Sequence, residues 1–310
     1  MALSNFLNRF FLYKKCAGLF HLLSVKINPK REMNRVYSAT FHRNIDFQNP
    51  KNLIEKIYWL QLYSDTSLWT KCADKYLMRE YVKSKGCEEY LPKLYSKWDF
   101  AKDIDITELP SKFILKTNNG CAQCYIVKDK EKVNVSLIRK TFKKWMSIPY
   151  GFSGAQLHYT RIKPCIIAEE LLEQGEELDS LSPLSLVDFK VWCFNGKPES
   201  IWVAYNRKPG NVSMSLYDIN WNPLPDKLVS TNSDTYHPEV HIPKPKCLEK
   251  MIDIAKTLSA DFLEVRIDFY VIRNKPIVGE MTFSSGFGYF TEEYYNYLGG
   301  LIDLSMVSNN

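Results

Sequence analysis

The sequence predicts an α+β fold, and three observations carry that reading. Helix-period stretches are interleaved with short strands, the strands are joined by tight turns as hairpins, and no run of regular βαβ units occurs. The 310 residues contain no internal repeat and no low-complexity segment, and the 45% apolar content is enough for a substantial core. Four stretches are expected: an amphipathic, basic N-terminal segment (residues 1–48), a helical region (49–108), and two α+β lobes (109–172 and 173–310).

The N-terminal stretch MALSNFLNRFFLYKKCAGLFHLL is aromatic, apolar and basic. Asn8, Arg9, Lys14 and Lys15 break its apolar run, so it cannot span a bilayer, and it lacks a secretory cleavage site. Two readings stay open: a helix packed on the fold, or an interfacial helix on a membrane surface. Eight scattered cysteines suit a reducing compartment. A cytoplasmic protein is therefore expected, with a peripheral contact to the inner membrane face through residues 1–35.

After the Asn49-Pro50 turn, Leu53, Ile54, Ile57, Tyr58 and Leu60 recur at helical spacing. A second helix is expected from Asp74 through Val82, with Lys75 and Arg79 on one face. Strands are expected over Phe113–Leu115, Cys124–Val127 and Cys165–Ala168, with a helix over Val135–Met146 between the last two. Gln174–Pro183 reads as an acidic loop. Phe189–Phe194 and Glu199–Tyr205 form a hairpin about the Asn195-Gly196 turn. Pro-rich loops follow from Pro209 to Pro245, then a helix over Leu248–Leu258, then strands over Leu263–Ile272 and Pro276–Thr282.

The last hairpin carries the strongest chemical signal. Strand alternation puts Arg266, Asp268 and Tyr270 on one face, and Glu280 and Thr282 on one face of the next strand. Pairing the two strands gathers two carboxylates, a hydroxyl and a guanidinium at one end of a sheet. That set suits Mg²⁺ and phosphoryl oxygens, whereas a surface hairpin with an Arg–Glu pair would use the same residues. Lys116 closes a strand before the turn cluster Thr117–Gly120, a place where a lysine and backbone N–H groups can hold phosphate. Glu169 and Glu170 end an apolar strand, and Asp188 and Lys190 share a face of the next. Cys121 and Cys124 form a lone CxxC, open to redox or zinc use, yet no second CxxC or CxxH accompanies it. The net charge of +6 favours anionic partners without choosing among them, and no RNP, zinc-finger or helix-turn-helix signature points to nucleic acid.

Taken in order, these pieces resemble the ATP-grasp superfamily, and more narrowly its TupA-like branch, named after teichuronopeptide biosynthesis. The resemblance rests on ADKYLMREYV (73–82), LPSKFILKTNNG (109–120), IIAEELL (166–172), DFKVWCFNGKP (188–198), YDINW (217–221), VRIDFYV (265–271) and GEMTFSSG (279–286), and it spans roughly residues 49–304. It implies two lobes clamping ATP beside an additional N-terminal region. It also implies that Lys116 and Lys75 contact the nucleotide and that Asn119 and Gly120 belong to a loop over the phosphates. Glu169, Glu170, Leu171 and Leu172 would form the adenine hinge, and Asp188 a ribose or adenine contact. Lys190 would bind phosphate or substrate, Arg266 would be the reaction-centre arginine, and Asp268 and Glu280 the metal carboxylates. Where relatives have Glu-x-Asn this chain has Glu280-Met281-Thr282, so one Mg²⁺ is expected and a second rests on Thr282.

The branch implies an ATP-dependent carboxylate–amine ligase of surface-polysaccharide or cell-envelope biosynthesis. Its partners would be the nucleotide, an acidic glycan or sugar precursor, and an amine. A kinase acting on a sugar hydroxyl is the alternative on the same scaffold. A glycosyltransferase would need a nucleotide-sugar site, and the D-I-D at 103–105 leads into a loop and a Leu-Pro turn. A non-catalytic nucleotide binder would not need Lys116, Arg266, Asp268 and Glu280 together.

Overall fold

The computed structural model describes residues 16–208, 211–229, 242–284 and 287–307. Residues 1–15, part of the proposed membrane-contacting stretch 1–35, lie outside the described residues. In chain order the elements are helices α1 (residues 16–27), α2 (Pro29–Phe41), α3 (Leu53–Tyr63), α4 (Ser67–Ala73) and α5 (Met78–Ser84). Strands β1 (Leu94–Trp98), β2 (Phe113–Thr117) and β3 (Cys124–Val127) follow, then α6 (Val135–Met146), α7 (Leu157–Thr160), β4 (Ile166–Glu169) and α8 (Glu176–Leu181). The chain ends with β5 (Asp188–Phe194), β6 (Lys197–Lys208), β7 (Asn211–Asp218), α9 (Leu248–Ser259), β8 (Glu264–Ile272), β9 (Lys275–Thr282) and α10 (Glu292–Gly300). Among the described residues no helix is long and apolar enough to cross a membrane.

Two compact units result. The first comprises residues 1–45, 66–76 and 93–171, the second 46–65, 77–92 and 172–310. The first holds an antiparallel four-stranded sheet in the order β1-β4-β2-β3. In β2, Phe113, Leu115 and Thr117 point into the core while Lys116 takes the opposite face. Helix α6 buries Ile138 and Phe142, four apart, against Phe113, Leu115, Ile166 and Ala168. Asn134 caps α6 by accepting from the Leu137 N–H (3.0 Å).

The second unit is built on an antiparallel five-stranded sheet, β7-β6-β5-β8-β9. Helix α9 covers one face, burying Leu248, Met251, Ile254, Ala255 and Leu258 at helical spacing. Asn195 and Gly196 join β5 to β6, and Arg273 and Asn274 join β8 to β9; all four have positive φ, the geometry of a type I′ hairpin turn. Helix α3 opens on a capping box between Asn52 and Glu55. Gly299 of α10 lies so close to this cap that a Cβ there would overlap the Lys51 carbonyl and approach Asn52 Cα to 2.7 Å.

Three expectations change. The helix expected from Asp74 through Val82 is interrupted: Asp74 Oδ1 accepts the Tyr76 N–H (2.8 Å), a local bond that competes with the helical ladder, so Lys75 and Arg79 do not share a helix face. The acidic stretch Gln174–Pro183 contains α8, whose first turn carries Glu176, Glu177 and Asp179, where carboxylates favour the helix dipole. The stretch expected as Pro-rich loop contains β7, whose Val212, Met214 and Leu216 alternate with serines.

Candidate functional site

In the second unit one face of the sheet gathers nearly every charge predicted there. Register places Lys190 of β5 opposite Asp268 of β8, and Trp192 opposite Arg266. Across the next ladder, Asp268 faces Glu280 and Arg266 faces Thr282. Opposed residues in antiparallel strands share a face, so Asp188, Lys190, Arg266, Asp268, Glu280 and Thr282 are neighbours.

A bulge makes this possible. From the turn, Ile272 pairs with Lys275 and Phe269 with Val278; continued regularly, that register would bring Asp268 opposite Gly279 and turn Glu280 to the other face. Instead the ladder shifts at Asp268/Phe269, Gly279 is the extra residue, and Glu280 is restored to Asp268. A Cβ on Gly279 would approach Tyr270 Cε2 to 2.8 Å, which is the local reason for glycine.

The charges form one chain. Arg266 Nε and Nη2 donate to Asp268 Oδ1 (2.7 Å) and Oδ2 (2.8 Å), a bidentate pair, and Lys190 Nζ donates to the same Oδ2. Lys190 Nζ is also 3.4 Å from Asp188 Oδ2, which accepts from Arg207 Nη2 (2.9 Å). Arg266 Nη2 lies 3.9 Å from Glu280 Oε1 and donates to Thr282 Oγ1 (3.3 Å). Three cations thus face three carboxylates, and Asp188, Lys190, Arg266 and Asp268 are all buried. Burial works against the Arg266 charge, but the Asp268, Glu280 and Asp188 carboxylates outweigh it and hold the guanidinium charged above its ordinary range. The Asp188 carboxylate, with burial, holds the Tyr270 phenol well above its usual range.

Under the cluster lies an aromatic support. The Arg266 guanidinium sits 6.0 Å from the Trp192 ring centre and 5.6 Å from that of Trp202. Trp192 Nε1 donates to Glu264 Oε1 (2.7 Å). Burial pushes the Glu264 carboxyl up to about 7, against the Trp192 hydrogen bond and the Arg266 charge. Glu264 precedes Arg266 and Asp268 by the same two-residue step, so the alternation that found those two could have found it. Arg207 had no such signal, because β6 runs further than its apolar pattern indicates.

In the first unit Lys116 and Glu169 lie on one face of the β2–β4 ladder, and Lys116 Nζ donates to Glu169 Oε2 (3.0 Å). Glu170 is exposed, its carboxylate 3.4 Å from the Lys93 N–H. The boundary between the two units falls between Leu171 and Leu172. Lys75 Nζ donates to the Gly120 carbonyl (3.1 Å), and its own N–H to the Asn118 carbonyl (3.0 Å). Asn119 and Gly120 are both buried. Asn118, overlooked in the sequence, staples this loop: its amide donates to Asp74 Oδ2 (2.8 Å) and the Lys163 carbonyl (3.0 Å) and accepts the Cys165 N–H (2.8 Å). Cys121 and Cys124 are exposed free thiols.

Asp268 and Glu280, opposed on adjacent strands, match the one or two carboxylates that Mg²⁺ takes, and the cations crowding Asp268 mark it as a carboxylate that attracts positive charge. Among the described residues no group of three or more His, Cys, Asp or Glu is placed to hold a metal, so the remaining positions would fall to phosphate and water. Thr282 Oγ1 faces Arg266.

No curated protein matches the chain. Among solved structures it is similar to D-alanine–D-alanine ligase from Bacillus anthracis complexed with ATP (14% identity, 72% of this chain and 58% of that one, TM-score 0.45). It is also similar to L-amino acid ligase from Bacillus licheniformis (14%, 71% and 42%, 0.40) and to N5-carboxyaminoimidazole ribonucleotide synthetase with ADP (15%, 79% and 52%, 0.41). The chain spans less than two thirds of the length of each. The family model for TupA-like ATPgrasp matches residues 55–303. With that match over most of its length, and with helices arranged about two antiparallel sheets, the chain belongs to the TupA-like ATP-grasp family and has its α+β fold.

Proposed function

We propose that the protein is an ATP-dependent carboxylate–amine ligase working through an acyl phosphate, with an acidic glycan or sugar precursor as the acid. The observation that carries the reading is the buried cluster of Lys190, Arg266, Asp268 and Glu280 on one face of the second sheet. Family membership supports the nucleotide, and the cluster supports phosphoryl chemistry.

In this reading Asp268 and Glu280 hold Mg²⁺, which when bound neutralises phosphate charge. Lys190 exchanges Asp268 for a phosphate oxygen, and Arg266, steadied by Thr282 and the two tryptophans, faces the transferring phosphoryl group. Lys116 exchanges Glu169 for phosphate, Asn119 and Gly120 cover the phosphates, and Lys75 fixes that loop through the Gly120 carbonyl. The hinge 169–172 takes the adenine and Asp188 a ribose hydroxyl. A carboxylate oxygen of the acid attacks the γ-phosphorus, the β–γ bridging bond breaks, and ADP leaves. The amine nitrogen then attacks the acyl carbon, phosphate leaves, and the nitrogen loses a proton. Work in polysaccharide or envelope biosynthesis, a cytoplasmic location and a peripheral membrane contact through residues 1–35 belong to the same proposal. Exposed Leu19, Phe20, Leu23 and Ile27 on α1 support the membrane contact.

The test is ADP release over a panel of acidic sugars crossed with amino acids and simple amines, with hydroxylamine as a trap. A ligase releases ADP only with an acid present and yields a hydroxamate. ADP release with a neutral hydroxyl acceptor, and no hydroxamate from any acid, would replace the ligase with a kinase.

A further inference from the structure

The first unit holds a cavity that none of the residues assigned above lines. The cavity, of about 670 Å³ and open to solvent, is lined by Phe100, Ala101, Lys102, Arg139, Lys140 and Lys143 together with Met146 and Ser147. Its size is that of a small-molecule pocket. Four of its lining residues are cations, and none is acidic. Arg139, Lys140, Lys143, Met146 and Ser147 fall at spacings of three and four along α6 and just beyond it, so they form one stripe beside the buried stripe of Ile138 and Phe142. Like charges at those spacings repel, and nothing on the helix relieves them. Arg139 is anchored, Nε and Nη2 donating to the Ile104 carbonyl at 3.1 and 2.7 Å. Lys140 and Lys143 are exposed, with no hydrogen bond or ion pair among the described residues, and Lys102 lies 5.6 Å from the centre of the exposed Phe100 ring.

Phe100, Ala101, Met146 and the lysine stems are apolar, and Lys side chains can lay their methylenes along such a surface while the ammonium reaches outward. Beyond Ser147 the chain reaches Pro149, whose Cδ would lie 3.2 Å from a Cβ on Gly18, so the apolar helix α1 borders the same end of α6. Cations beside apolar side chains in one cavity fit a ligand with both characters. We propose that this cavity binds a phosphate-headed amphiphile, its head held by Lys102, Lys140 and Lys143 and its apolar body against Phe100, Ala101 and Met146. Lysine suits a phosphate head as a mobile point charge with three donors.

Calorimetric titration of the full chain with decyl phosphate below its micelle concentration tests this. One-to-one binding is expected, weakened about tenfold or more by the double variant Lys140→Glu/Lys143→Glu, a loss of about 1.4 kcal/mol or more. Inorganic phosphate and the neutral amphiphile octyl glucoside should each bind at least about tenfold more weakly than decyl phosphate. The control Lys197→Glu/Lys256→Glu, with the same charge change on exposed residues of the second unit, should bind like the parent. Equal binding of octyl glucoside, an unaffected Lys140→Glu/Lys143→Glu variant, or binding to phosphatidylglycerol vesicles with none to monomeric decyl phosphate would each overturn the proposal. ATP turnover by Lys140→Glu/Lys143→Glu should match the parent, which separates this site from the nucleotide site. Unchanged far-UV dichroism would show that a loss of binding is not a loss of fold.

Discussion

The β8–β9 hairpin of the second unit and the β2–β3 turn of the first both hold charge, but by different means. In the hairpin the clustered charges sit on strands and meet their partners across a ladder or two residues along the same strand. In the turn, the contacts of Lys75, Asn118 and Gly120 are made largely to backbone carbonyls and N–H groups at bends. Strand placement follows from parity, whereas a bend is set by long-range partners such as Asp74 and Lys163. The hairpin should therefore behave as a rigid ionic block and the turn as a positioning device, and substitutions should separate the two.

The largest effect is expected at Asp268. Replacing it with Asn leaves Lys190 and Arg266 buried with their shared carboxylate gone, a loss of about 3–5 kcal/mol of stability. ATP turnover should fall by about 10²–10³-fold or more. Glu280→Gln separates chemistry from folding, because the Glu280 side chain is 34% exposed. It should keep the melting temperature within a few degrees while turnover falls by a similar factor. Parent-like turnover in both variants would remove the assignment.

Glu264 tests whether the block extends along β8 past Arg266. Its carboxyl is raised to about 7 from an ordinary 4.5, so the folded state binds the extra proton between those values. Its contribution is complete below about 4.5 and is lost as pH rises through 7, by about 3 kcal/mol. Glu264→Gln keeps an acceptor for Trp192 and removes the ionisation. Thermal melts from pH 4.5 to 8.5 should show the variant gaining on the parent as pH rises, and parallel curves would refute the buried ionisation.

Gly279 tests the bulge. A valine there meets the Tyr270 ring, and overpacking of this kind costs about 1–3 kcal/mol. The register that returns Glu280 to Asp268 should suffer with it, so turnover should fall more than the melting temperature alone explains. Lys116→Ala touches the first unit only. It removes a cation now bonded to Glu169, and KM for ATP should rise roughly tenfold, about 1.4 kcal/mol, with kcat less affected. A drop in kcat alone would move Lys116 from binding to the chemical step.

The same contrast explains what could be read in advance. Strand alternation placed Arg266 with Asp268, Asp188 with Lys190, and Glu280 with Thr282, because period two holds wherever no bulge falls between the two residues. That the two strands' charged faces coincide depended on the bulge, which a lone Gly279 signals only weakly. The break between α4 and α5 was hidden because Asp74 and Lys75 fit helical spacing, and the Asp74–Tyr76 and Asp74–Asn118 bonds that end the helix are invisible to periodicity. β7 was masked by prolines on either side and by serines on its second face. Arg207 lies beyond the apolar part of its strand, where composition carries no information about direction.

The smallest effect is expected at Cys121 and Cys124, and it bears on the same turn. The turn is held by the Thr117 hydroxyl donating to Gln123 Oε1 (2.7 Å), the Gln123 carbonyl accepting the Thr117 N–H (3.1 Å), Lys75 on Gly120, and the Asn118 staple. Both thiols are free and exposed, and none of these bonds uses them. Cys121→Ser/Cys124→Ser should therefore change ATP turnover by less than about twofold, or about 0.4 kcal/mol, with the melting temperature unchanged, and the parent's turnover in excess Mg²⁺ should be insensitive to a zinc-selective chelator or to reductant. A loss of activity on reduction, or zinc released in proportion to protein, would give the pair a role of its own. It would also make the turn a covalent or metal-clamped element rather than one positioned by hydrogen bonds.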